Sequence, residues 1–396
     1  MDINATTVRV RGPQDLLAFI PFRLGYQPSE CVVVVSVRGR REIVGLVARL
    51  ELDAYDGRCP DGRPAAGAAA ESLARVVATD GADRVVVVGY TRGELPGAIA
   101  PGTRLRRAVE ATAARIETEL PGTEAWVVTP GGYRALDCSD PLCCPATGRP
   151  ADDLAHSRTA ASMVLAGRSV APSRDARLRI PLAPEQARRS AARAATRWAR
   201  ARTTTPDWAD RSLDAWRTAV RRTGAAEPGE PAEISPALYG KLAAALAHRP
   251  LRDAVLLWLT TEDGDTVLRT ARGTPDAETD AAASRAMSRI VDPAGATRPD
   301  QDRVGPAVHV LEAVAAHVPR SRQVAPLTLL GVVAWWSGDG AMASGRLDAA
   351  LAVDDGYTLA NLVVSALTAG LPPGWVRRET AELRREERAA AELGTA

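Results

Sequence analysis

The sequence is short of nearly everything that announces a chemistry. Lys241 is the single lysine, so arginine supplies the other basic residues, and 50 basic against 48 acidic groups leave a net charge of only +2. A chain so balanced has no global attraction for nucleic acid or an anionic membrane surface. The preference for arginine, beside abundant alanine, follows the codon bias of a GC-rich genome more simply than a need to grip phosphate. Five cysteines in 396 residues are too few for a disulfide framework, which fits a reducing cytoplasm. No uncharged apolar run reaches the roughly 18 residues of a membrane span. The first ten residues lack the apolar centre of a secretory signal and read as a β-strand over 7–10.

Motifs are scarce as well. The four histidines, His156, His248, His309 and His317, make neither an H-E-x-x-H nor any short metal-binding pair. No G-x-S-x-G nucleophile elbow occurs. The loop Gly89-Tyr90-Thr91-Arg92-Gly93, which follows a run of valines, is neither a dinucleotide fingerprint nor a Walker loop. No catalytic constellation stands out from the background.

What the sequence does contain is pattern. An apolar fraction of 46% with 25% charged residues describes a folded globular chain, and its length calls for more than one domain. A short helix is expected from Pro13, with Leu16, Leu17, Ile20 and Leu24 at helical spacing and Pro21 kinking or ending it. Residues 31–37, almost continuously β-branched, predict a central strand covered on both faces, and residues 43–52 return as its antiparallel partner. Helices over 68–79 and 103–120 alternate with a buried strand over 84–90, and a hairpin around Pro130-Gly131-Gly132 closes the unit. The order ββαβαββ, after a short strand and helix, implies a mixed sheet with helices packed on it. Beyond Pro150 the periodicity is helical throughout, with loops expected at 224–236 and 263–276. The expectation is an α/β fold: a mixed-sheet domain over 1–150, a connector over 151–183, a helical domain over 184–372 and a charged helix or tail over 373–396.

Two resemblances overlie this reading. Leu330, Gly331, Ala334, Gly338, Ala343, Leu347, Ala350 and Asp355 fall at the offsets of a tetratricopeptide repeat, so residues 326–368 resemble a single tetratricopeptide-like hairpin. One repeat cannot stack on copies of itself and has to pack on its neighbours. The wider resemblance rests on Leu24-Gly25-Tyr26-Gln27-Pro28-Ser29-Glu30 before the valine run, Ala48-Arg49-Leu50-Glu51-Leu52, Cys138 with Cys143-Cys144-Pro145, and Trp336-Ser337-Gly338-Asp339-Gly340-Ala341. In that ordered combination the chain resembles the actinobacterial domain-of-unknown-function family 4192, with Glu51 where the resemblance leads one to expect aspartate. The resemblance implies a cytoplasmic setting and carries over no activity and no catalytic residue.

Three groups of residues are candidates for chemistry. Cys138, Cys143 and Cys144 place three thiols within seven residues, a set that suits zinc with a fourth ligand such as His156, a redox pair, or packing beneath the sheet. Arg189, Arg193, Arg197 and Arg200 recur every three or four residues and share one helix face; with Trp198, Trp208 and Trp216 nearby they suit a phosphate backbone and stacked bases, or a solvated face over a tryptophan core. Thr91 and Arg92 follow a buried strand, where open α/β sheets bind ligands, and Arg168 and Arg174 lie between the expected domains, where they suit an anion or interdomain salt bridges. Without a catalytic motif, the leading expectation is a non-enzymatic binding or regulatory protein whose helical domain docks a protein partner or a second copy of itself. An enzyme or small-molecule sensor, with its site at the sheet edge or interdomain cleft, is the first alternative, and nucleic-acid binding through the arginine helix the second.

Overall fold

A computed structural model of the chain describes residues 12–39, 42–227, 232–274 and 276–393. The strand expected over 7–10 lies outside these residues. Helix α1 (Pro13–Leu24) starts on Pro13, whose fixed φ suits the first turn. Although Pro21 predicts a kink or an end, the helix continues to Leu24 and stops at Gly25, left-handed at φ 73°, whose N–H bonds the Pro21 carbonyl at 2.7 Å. The ring forfeits one backbone bond in the last turn, while Leu16, Leu17, Ile20 and Leu24 stay buried and hold the helix together.

β1 (Cys31–Arg38) is buried along almost its whole length, as a continuous valine run requires. It lies between β2 (Ile43–Glu51) and β3 (Arg84–Tyr90), antiparallel to both. β3 pairs in parallel with β4 (Glu124–Thr129), and antiparallel pairing continues through β5 (Gly132–Ala135) to β6 (Arg149–Pro150). The result is a six-stranded mixed sheet in the order β2-β1-β3-β4-β5-β6. One face, carrying Val32, Val34, Val85, Val87 and Val127, packs on α2 (Ala65–Asp80) and α4 (Arg104–Glu117), with short α3 (Leu95–Ala98) between β3 and α4. Beside the sheet, α1 packs on β2 and on α5 (Asp152–Ala155) and α6 (Arg158–Leu165).

The chain divides into two compact units after Arg177, within α7 (Arg174–Leu178); Thr368–Leu371 and the stretch from Glu386 count with the first. The second unit, like the sequence after Pro150, is helical. It contains α8 (Glu185–Ala201), α9 (Trp208–Gly224), α10 (Pro236–Leu246), α11 (Arg249–Thr260), α12 (Gly264–Arg272), α13 (Ala277–Val291), α14 (Gln301–His317), α15 (Val324–Trp336), α16 (Gly340–Leu351) and α17 (Thr358–Thr368), followed by α18 (Gly374–Leu393). α15 is apolar all round and buried from Ala325 to Trp336, the pattern of a central helix. α15 and α16 form a close hairpin: a Cβ at Gly331 would meet Leu347 at 2.6 Å, and Asp339 caps α16 through the Met342 N–H at 3.0 Å. Where composition predicts a loop over 263–276, α12 forms instead. The Asp263 carboxylate caps it at the amides of Asp265 and Thr266, Val267 and Ala271 are buried, and left-handed Gly273 ends it. Polar Asp, Gly and Thr residues at the two helix ends give the segment its loop-like composition.

Candidate functional site

The row of residues at one end of the sheet is Glu51, Cys31, Tyr90 and Val128, paired in register across β2, β1, β3 and β4. It contains the carboxyl ends of the parallel pair β3 and β4, the place where open α/β sheets leave a crevice. A cleft of about 750 Å³ lies there, large enough for a nucleotide-sized molecule. Leu17, Ala18, Pro21 and Phe22 of α1 and Ala160 and Val164 of α6 give it apolar walls. The segment 170–175 closes another side, tied down where the Gln27 N–H bonds the Ala171 carbonyl at 2.9 Å and the Ala171 N–H bonds the Gly25 carbonyl at 3.0 Å. Every lining residue belongs to the first unit.

Period-two alternation along β2 turns Ala48 and Leu50 toward the core under α2 and α4, which leaves Arg49 and Glu51 for the opposite face. Arg49 pairs with Glu51 at 2.6 Å, and its guanidinium lies 5.7 Å from the centre of the Tyr26 ring. Its Nε–H is buried with no hydrogen-bond partner, and so is the Tyr90 hydroxyl. Burial raises both tyrosines, Tyr26 and Tyr90, above the ordinary phenol range, so their hydroxyls stay protonated. Burial likewise pushes the neighbouring Cys31 thiol up to about 11 against the pull of Arg49, which makes it a neutral packing group rather than a nucleophile at neutral pH.

Glu30 adopts φ +49°, a left-handed conformation that costs a non-glycine residue about 1 kcal/mol. Three contacts hold it there. Its carboxylate accepts from the Thr91 hydroxyl at 2.8 Å and the Arg92 amide at 2.9 Å, and its carbonyl accepts from the Leu52 amide at 3.0 Å. Arg92 also donates from Nε to the Ser29 hydroxyl at 3.1 Å. Strain over-determined in this way fixes the rim of the cleft. Of the residues read from sequence, Thr91, Arg92 and Arg174 line the cleft together, and Arg168 does not. Tyr26, Glu30, Arg49, Glu51 and Tyr90 line it too, and sequence reasoning missed them as site residues. Their signal is present in part, since an arginine and a glutamate alternate with leucines in Ala48-Arg49-Leu50-Glu51-Leu52.

The loop joining β5 to β6 carries the thiols. The sulfurs of Cys138, Cys143 and Cys144 all lie within 4.8 Å of one another, and among the described residues no histidine or carboxylate joins them, His156 included. Backbone hydrogen bonding at Asp140 holds the Cys138 thiol below its usual range, and burial pushes Cys144 up to about 11.

Arg189, Arg193, Arg197 and Arg200 are all exposed on α8, with Arg189 paired to Glu185 at 2.5 Å. The tryptophans beside them serve the core. Trp198 stacks on Trp208 at 5.9 Å, the two indoles donate to Ser212 and to the Trp198 carbonyl, and Trp216 is buried edge-on to Trp258. They are not free to stack bases. A smaller recess of about 400 Å³ lies at the end of α11. There Arg289 and Arg303 donate to the Thr260 and Thr261 carbonyls, each at 3.0 Å, so cations close a helix C-terminus.

No helix among the described residues is long and apolar enough to cross a membrane. Neither the curated proteins nor the solved structures offer a match to the chain. One family model does, and it spans residues 13–374, from the first residue of α1 to the first residue of α18. It therefore takes in the cleft, the thiol loop and the helical unit as far as the start of α18, and the chain belongs to the family described as Domain of unknown function (DUF4192).

Proposed function

We propose that the protein binds a small organic anion, a carboxylate or phosphate carried on an apolar body, in the cleft at the end of the sheet. The observation that carries this reading is Arg49. It is a largely buried guanidinium in a cleft of about 750 Å³ and keeps a buried N–H with no acceptor. A buried donor without a partner costs about 1–3 kcal/mol, and a ligand oxygen that reaches it as the surrounding side chains give way would relieve that cost. Arg92 and Arg174 line the rim beside the carboxylates of Glu30, Glu51, Asp152 and Asp175, while α1 and α6 supply apolar surface for the body of the ligand. This balance favours a ligand-binding protein over a docking module of the helical unit. The neighbouring Cys31 thiol is held neutral by burial, which supports a sensor or binding protein rather than thiol chemistry.

A panel of aromatic and aliphatic carboxylates and phosphate esters, screened by thermal shift and followed by calorimetry, tests it. At least one class should raise the melting temperature of the wild type. Arg49→Met should weaken that ligand about 100-fold, as the loss of a charged hydrogen bond implies, and Arg92→Ala about 10-fold. Arg168→Ala, which changes no lining residue, should leave the affinity unchanged. A panel with no binder, or affinities equal in Arg49→Met and wild type, sinks the reading.

A further inference from the structure

The thiol loop lies at the end of β5 away from the cleft and needs its own account. β5 starts at Gly132, paired with the cleft residue Thr129, and runs to Ala135, after which the chain makes an excursion and returns at Arg149. Within that excursion three sulfurs from positions up to six residues apart converge to within 4.8 Å of one another, and those of Cys143 and Cys144 are 4.0 Å apart although the residues are neighbours in sequence. Thiolates bound tetrahedrally at about 2.3 Å from zinc stand roughly 3.8 Å from each other. The observed spacing is within a small contraction of that arrangement.

The loop backbone is fixed by bonds made through its amides and carbonyls rather than through the sulfurs. The Cys144 N–H bonds the Asp140 carbonyl and the Gly148 N–H bonds the Pro145 carbonyl, each at 2.8 Å, and the Leu142 N–H bonds the Asp140 carboxylate at 2.9 Å. From the two flanking strands Arg149 donates to the Cys143 carbonyl at 2.7 Å and Arg134 to the Cys138 carbonyl at 3.5 Å. Each guanidinium thus holds the carbonyl of a thiol-bearing residue, and both place positive charge beside a group that becomes anionic as a metal tris-thiolate. Supports of this kind orient ligands and tune a metal site.

We propose that Cys138, Cys143 and Cys144 bind one zinc ion as thiolates, with the fourth position left to water or to an exogenous ligand. The ion replaces the three thiol protons, which pass to solvent. No fourth protein ligand is within reach among the described residues, so the site is open in the manner of a reactive or exchangeable centre rather than closed like a purely structural one. Cys138 is partly buried, Cys144 buried and Cys143 exposed, so the cluster is reached from solvent through Cys143 without unfolding the loop.

The test uses the full chain, reduced, stripped by chelator and titrated with cobalt(II) as a spectroscopic stand-in. Expected is a thiolate-to-cobalt charge-transfer absorption that saturates at one equivalent and bleaches when zinc is added. Cys143→Ser, at an exposed position, should remove most of that absorption and weaken zinc by at least about 100-fold. Cys59→Ala, outside the cluster, should change nothing. The proposal is overturned if the reduced wild type develops no charge-transfer band. It is overturned equally if the band survives Cys138→Ser and Cys143→Ser unchanged, or if the thiols pair as a disulfide and refuse metal after reduction. Should a serine variant unfold by circular dichroism, thiol alkylation of the wild type takes its place. Loss of the band on alkylation, with zinc protecting three thiols, supports the site, and a band that survives alkylation overturns it.

Discussion

Gly240→Ala is expected to destabilise the helical unit by about 3 kcal/mol, although alanine is the better helix former. A Cβ on Gly240 of α10 would sit 1.9 Å from the carbonyl oxygen of Ala191 on α8 and 2.8 Å from its Cα. These are backbone atoms, so no side chain can swing away, and the two helices have to part. The interface is lined on the α8 side by Ala191, Ala194 and Ala195, all buried, which is how the helices come this close. Parting them opens a void along that alanine face, and the dispersion attraction forfeited there adds to the strain. The roughly 1 kcal/mol gained in helix propensity offsets only part of the cost. Tryptophan fluorescence follows the unfolding cleanly, because Trp126 is the only tryptophan in the sheet-bearing unit and the rest are in the helical one. Gly264→Ala, at the open first turn of α12, should shift stability by less than about 1 kcal/mol. A Gly240→Ala midpoint at or above that of the wild type would show that α8 and α10 are not packed as described.

The stripe of arginines on α8 is plain in the sequence while the alanine face behind it is not, and the same asymmetry runs through the molecule. The central strand over 31–37 can be read because seven consecutive buried residues leave no other explanation for the valines. The helices announce themselves by period, while the ends of α1 and α2 at left-handed Gly25 and Gly81 are given by the structure. α12 escapes because a nine-residue helix with polar ends shows too little periodicity to outweigh Asp263, Gly264 and Gly273. The cleft is legible only at its rim. Thr91 and Arg92 are flagged by their place after a buried strand, and Arg174 by its place in the chain, but Arg49 and Tyr90 come together only through strand register, and Tyr26 reaches Arg49 from the turn after α1, bridged to Ala171. Register depends on which strands pair, and no local pattern states that. The three thiols are visible as a cluster, yet two adjacent cysteines normally diverge, so their convergence needs the loop's own turn and arginine contacts.

Asp80→Ala is expected to cost the sheet unit about 3 kcal/mol, through a network that the sequence hides in a valine run. Ser36 is the one polar residue in the buried stretch of β1, and it sits where the β1–β2 register shifts between Val35 and Val37. Such a bulge strips a strand amide of its ladder partner. Here the Leu46 amide of β2 turns to the Ser36 hydroxyl at 2.7 Å and to the Asp80 carboxylate at 3.3 Å. The carboxylate, at the last residue of α2, also accepts from the Ser36 hydroxyl and from Arg38, whose Nε is at 2.9 Å. Gly45 makes room, since a Cβ there would lie 2.5 Å from the serine hydroxyl and 2.8 Å from the carboxylate. Removing the carboxylate takes the acceptor from a buried hydroxyl, weakens the bonding of a buried amide and removes one charged partner of Arg38. Breaking a fully buried pair costs about 3–5 kcal/mol, and the partial exposure of Arg38 places this one at the low end. Asp80→Asn keeps the shape and some of the hydrogen bonds, so it should lose about half as much. Hydrogen exchange of the β1 and β2 amides reads the effect in the unit concerned. A loss of about 3 kcal/mol through a shared opening corresponds to roughly 100-fold faster exchange. Unchanged protection in Asp80→Ala would mean that the bulge is held by the strands alone, and that the carboxylate between helix and sheet contributes only geometry.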